Sequence, residues 1–141
     1  MKKNKAFVFI VFILFFIACD GLNHKHIVGR YSLVSLSKEG QALGYLVKDS
    51  SIYVCVVSEC VFAIGHNEQY IILKQHPVKF STPPPNKKIT NYYIVLIYSA
   101  YTDFPEKGVI GLLTLEQFNN KKNELHIPDS LSFSIVNKDL E

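Results

Sequence analysis

The chain has 141 residues, 15 Lys+Arg against 12 Asp+Glu, and a hydrophobic fraction of 48%. That length suits one domain with a real core, and apolar content rich in Ile, Val, Leu and Tyr excludes a disordered segment. Beyond the first five residues the longest cationic runs are the pairs Lys87-Lys88 and Lys121-Lys122. The dense cationic cluster that nucleic-acid binding needs is absent, so nucleic acid is set aside as a partner.

Taken in chain order, the first segment is the most telling. Lys2, Lys3 and Lys5 precede an unbroken apolar run from Ala6 to Ala18, which ends at Cys19 and is followed by Asp20 and Gly21. A charged start, an apolar run and a small residue at the cleavage position make a secretory leader. The cysteine directly after Ala18 makes residues 1–18 resemble a bacterial lipoprotein signal peptide, which implies cleavage before Cys19 and a diacylglycerol on its thiol. The alternatives are a cleaved, soluble secreted form and a retained anchor. The run would extend about 20 Å as a helix at roughly 1.5 Å per residue, against a hydrocarbon core of about 30 Å. Two acyl chains hold a protein stably where one does not. The expected address is therefore the bacterial cell envelope, lipid-anchored to a membrane. Removing residues 1–18 takes away three lysines and five of the ten phenylalanines, and leaves cations and carboxylates in equal number.

Residues 19–28 read as a polar tether, and residues 29–141 as a single β-rich globular domain. Arg30–Ser37 alternates weakly, and Lys38-Glu39-Gly40 reads as a turn. Leu43, Tyr45 and Val47 mark a second strand, closed by Asp49-Ser50-Ser51. Ile52–Val57 and Cys60–Ile64 are continuous apolar runs, as expected of central strands covered on both faces. Gly65–Gln69 suits a hairpin loop, since Gly and Asn accept positive φ, and Tyr70–Gln75 follows as a strand. Pro77 and Pro83-Pro84-Pro85 interrupt residues 76–90. Tyr92–Ser99 is the clearest strand, with Tyr92, Ile94, Leu96 and Tyr98 on one face. Asp103–Gly108 is a loop and Val109–Leu113 a short strand. Thr114 with Gln117 forms a capping box for a helix near 114–125, in which Leu115, Phe118 and Leu125 share a face. Ile127-Pro128 ends it, and Leu131–Val136 is the last strand. The fold class is mainly β or α+β, drawn as a single antiparallel sheet or a small barrel-like β domain with one helix.

The segment from Val61 to Pro77, together with Asn91–Val95 and Gly111–Phe118, resembles the signature of an uncharacterised family of small bacterial lipoproteins, a domain of unknown function. The resemblance implies a compact β-rich envelope module and supplies no catalytic residue.

The chemistry-bearing residues are few. With Cys19 assigned to lipid, Cys55 and Cys60 form an even pair in an oxidising compartment. A disulfide requires the chain to double back within Val56–Glu59 so that the Cα atoms come about 4.4–6.8 Å apart; two buried thiols filling the core are the alternative. His24 and His26 point the same way in an extended chain, yet a third ligand is lacking, so no metal site is expected. Ser35-Leu36-Ser37-Lys38 matches an S-x-x-K pattern, but it falls at a strand end without the companion motifs. No cofactor fingerprint occurs. Tyrosine suits surfaces that are both apolar and hydrogen-bonding, and a rim of His66, Tyr70, Tyr101 and Phe104 is the candidate binding surface. The expected function is a non-catalytic envelope module that binds an envelope protein partner. The alternatives are a hydrolase using His66, His76 and Glu68, or a small-ligand carrier with an apolar sheet interior.

Overall fold

The computed structural model describes residues 23–36, 40–78 and 84–141. The leader, Cys19 and the rest of residues 19–22 of the expected tether, Lys38-Glu39 of the expected turn, and Pro83 lie outside the described residues. Among the described residues, nine strands and one α-helix follow in order. Strands β1 (His24–Val28), β2 (Tyr31–Ser35), β3 (Gln41–Leu46) and β4 (Tyr53–Val57) form one antiparallel sheet in that spatial order. The second antiparallel sheet runs β8 (Val109–Leu113), β7 (Asn91–Leu96), β6 (Tyr70–Gln75), β5 (Val61–His66) and β9 (Ser134–Ile135). Helix α1 spans Leu115–Glu124.

The β-rich expectation holds, but the single sheet or barrel is replaced by two sheets. The chain changes sheet at Ser58–Cys60, where Cys60 sits at φ 68°, a left-handed conformation uncommon outside glycine. Gln75 pins this crossover. Its Nε2 donates to the Ser58 carbonyl (3.1 Å) and hydroxyl (2.8 Å), while its Oε1 accepts from Asn91 (3.3 Å) and the Tyr93 hydroxyl (3.1 Å). A buried amide with this many partners carries little desolvation penalty.

Two further expectations are corrected. His24–Val28 belongs to a strand rather than a tether: it pairs with β2, His24 opposite Val34 and His26 opposite Ser32. Its polar composition suits an exposed edge strand, and Gly29 at φ 57° makes the turn into β2. Conversely, β4 is an edge strand and not a covered central one, with Val54 41% exposed. A short apolar run shows that a strand exists, but not where it lies in its sheet.

The core has two layers. Tyr31, Leu33, Leu43, Tyr45 and Val57 of the first sheet pack on Val61, Ile64, Ile71, Leu73 and Val95 of the second. On the far side of the second sheet, Ile72 and Ile94 are covered by Phe118, Ile127 and Leu131. Strand β6 is thus buried on both faces over Ile71–Leu73, which suits the apolar run at its start. The capping box forms as expected. The Thr114 hydroxyl accepts from the Gln117 N–H (3.2 Å), and Gln117 Oε1 accepts from the Thr114 N–H (2.9 Å). Of the apolar face expected on α1, Phe118 is buried, whereas Leu115 is 53% exposed. Strand β7 ends at Leu96, so the alternation places Tyr92 with Ile94 toward the helix but does not extend to Tyr98.

Candidate functional site

A cleft of about 390 Å³ opens between the edge strand β1, the end of β5 and the segment Ser130–Val136. Its floor is apolar, with Ile27, Ile64, Leu131 and Val136. Side chains alternate along β1, so Lys25 shares a face with Ile27, which packs toward the intersheet core. His24 lies on the opposite face, its ring 5.1 Å from that of Tyr53. Gly65 governs the third wall: a Cβ there would collide with the Ser132 carbonyl oxygen, so only glycine lets the C-terminal segment lie this close. In that segment Ser130, Ser132 and Ser134 alternate with Leu131, Phe133 and Ile135. Leu131 and Phe133 pack into the core below the helix, which leaves the three serines exposed along the cleft. His66 ends β5 at the rim, and His26 joins it with Nε2 3.0 Å from the Gly29 carbonyl. The polar lining therefore offers the Lys25 ammonium, the His66 imidazole and three hydroxyls, with the His26 ring held on the Gly29 carbonyl and no carboxylate among the cleft residues.

The rim proposed from sequence is not gathered into one surface. His66 lines the cleft. Tyr70 belongs to the cluster beneath the helix, and its hydroxyl donates to the Leu125 carbonyl at 3.3 Å. Tyr101 packs instead on the core between the sheets, 6.0 Å from the Tyr45 ring, with the Arg30 guanidinium 5.1 Å over it. Phe104 is 55% exposed and carries Lys107 Nζ 4.4 Å from its ring.

The proposed acid–base set is also separated. Val61 pairs with Gln75 and His66 with Ile71, so His66 and His76 stand at opposite ends of the β5–β6 hairpin. His76 is buried and stacked on Phe62, with ring centres 4.2 Å apart and planes 11° from parallel. Its Nδ1 lies 2.7 Å from the Ile89 carbonyl and its Nε2 2.7 Å from the Leu140 carbonyl. The arrangement ties the C-terminal turn Lys138–Leu140 to the second sheet.

No bridge joins Cys55 and Cys60. Cys55 is exposed on the edge strand and Cys60 is buried with Phe62, Ala63 and Leu140. Loss of water around the sulfur, then the nearby Glu59, pushes the Cys55 thiol up, which works against nucleophilic chemistry. Ser35 sits in β2, not at a helix start. Among the described residues, no group of three His, Cys, Asp or Glu is placed to hold a metal ion, and no helix is long and apolar enough to cross a membrane.

The fold and cleft define a small two-sheet β module with one covering helix. The chain belongs to the family described as "Protein of unknown function (DUF3997)", which it matches over residues 28–139. No curated protein and no solved structure matches it.

The sequence reading missed the cleft, apart from His66. The strict alternation of residues 130–135 was visible, but its meaning depends on Gly65 lying beside Ser132, a contact distant in sequence. The clasp on His76 had no local signal either, because its partners are 13 and 64 residues away.

Proposed function

We propose that this protein is a bacterial envelope lipoprotein, acylated on Cys19 with a fatty acid such as palmitate, and that its β module binds a small ligand non-catalytically in the cleft between β1 and residues 130–136. The observation that carries the reading is the cleft itself: an open groove of about 390 Å³, within the size range of small-ligand sites, whose exposed lining is mainly polar with a few apolar side chains beneath. Binding is favoured over catalysis because the candidate nucleophiles and bases lack partners suited to activate them. Cys55 has a raised thiol, His76 has both nitrogens on carbonyls, and His66 stands far from it along the hairpin.

Two experiments test this. Wild-type protein should incorporate labelled palmitate and fractionate with membranes, and Cys19→Ala should lose both properties; retention of both by the variant refutes the anchor. A photo-crosslinking residue placed at position 66 in living cells should give a discrete adduct, whereas one at position 104 should not. Adducts at 104 alone refute the cleft as the binding site.

A further inference from the structure

Resting on the cleft and anchor readings above, we propose that the cleft seats a phosphate group, supplied by an anionic headgroup of the membrane that holds the protein. The sign of the lining comes first. Lys25 brings a fixed positive charge, Ser130, Ser132 and Ser134 bring hydroxyl donors, His66 adds ring nitrogens, and no carboxylate is among the lining residues. Over residues 19–141 as a whole cations and carboxylates balance, so this local imbalance is not a reflection of bulk charge. Phosphate oxygens are strong acceptors that match donors converging from several sides, and charge-assisted hydrogen bonds are roughly twice as strong as neutral ones.

Position then selects the source. Lys25 is six residues beyond Cys19, so at about 3.3–3.6 Å per residue the cleft lies no more than roughly 20 Å from the acylated thiol. Strand β1 is the first element among the described residues and forms one wall of the cleft. The side of the module that carries the cleft is thus held against the headgroup layer, where the anionic surface attracts each nearby cation. Of the wall groups, Lys25, His26, His66 and the three serines are all exposed, so a headgroup reaches them without rearrangement of the core.

Nuclear magnetic resonance on the full, acylated chain tests each part. In phosphatidylcholine nanodiscs, inorganic phosphate should shift the amide signals of Gly65, Ser132 and Ser134 saturably. Lys25→Gln should weaken that binding about tenfold, and Lys25→Arg should restore most of it. In phosphatidylglycerol nanodiscs the same signals should already be displaced and added phosphate should change little. An equal response to phosphate in both lipids overturns the headgroup as the source. A response to N-acetylglucosamine with none to phosphate overturns the anionic class but leaves the cleft as a binding site. Silence toward both probes in both lipids overturns the cleft reading itself.

Discussion

Replacing His76 with Phe probes the clasp that fastens the C-terminal turn. Phenylalanine keeps a flat ring against Phe62 but removes both ring nitrogens, so the Ile89 and Leu140 carbonyls lose neighbours 2.7 Å away. A buried acceptor left unpaired costs about 1–3 kcal/mol. Counting one ring N–H lost, the variant should be destabilised by about 1–3 kcal/mol, partly offset by the greater apolarity of the new ring. Against the 5–15 kcal/mol typical of a whole domain, that is a large fraction. Urea unfolding of the full chain should show a lower midpoint with an unchanged slope, and amide exchange should accelerate at Leu140 and Glu141, whose N–H groups bond within this turn. A stability loss below about 1 kcal/mol, with exchange at residues 138–141 unaltered, would refute the reasoning, because it would mean that neither carbonyl depends on the imidazole.

Three other outcomes are expected. The Tyr31 hydroxyl is buried without a hydrogen-bond partner among the described residues, so Tyr31→Phe should be neutral or stabilising by up to about 1 kcal/mol at neutral pH. Burial, then Tyr45 and Tyr98, pushes that hydroxyl from 10.0 to about 12. The unfolded chain therefore gives up this proton first, and stability should fall as pH rises from 10 towards 12; urea midpoints at pH 8 and pH 11 should show a smaller fall in Tyr31→Phe. Gly65→Ala should cost about 1–3 kcal/mol through overpacking against the Ser132 carbonyl and speed exchange across residues 131–136. Thr114→Ala should cost about 1 kcal/mol by removing the cap of α1, measurable by denaturant titration.

What could be read from sequence follows the range of the forces involved. The capping box needs only residues three apart, and the Gly65–Gln69 loop needs only local turn chemistry, with Asn67 Oδ1 accepting from Gln69 and Tyr70. Both were legible. So was the covered position of β5, because Cys60–Ile64 is an unbroken apolar run and Val61–Gly65 are buried between β6 and β9. The same pattern misplaced β4, since Ile52–Val57 is equally apolar but ends its sheet. The division into two sheets depends on one left-handed residue, Cys60, and on Gln75 reaching back 17 residues to Ser58. Neither leaves a local mark. The cleft was illegible for the same reason, being assembled from residues near positions 25, 65 and 132.

The crossover at Ser58–Cys60 has a consequence for how the molecule comes into being. Because the change of sheet happens once, the first sheet is complete by Val57 and every strand of the second comes later. Each strand up to β8 pairs with its immediate predecessor within its own sheet, a ladder of near neighbours that favours rapid assembly. As the chain emerges N-terminus first, the four early strands can zip together alone, yet their apolar side, with Tyr31, Leu33, Leu43 and Tyr45, stays bare until β5 and β6 arrive. That half-made state is the one a chaperone would have to shield, and the interval is set by the time residues 58–75 take to follow.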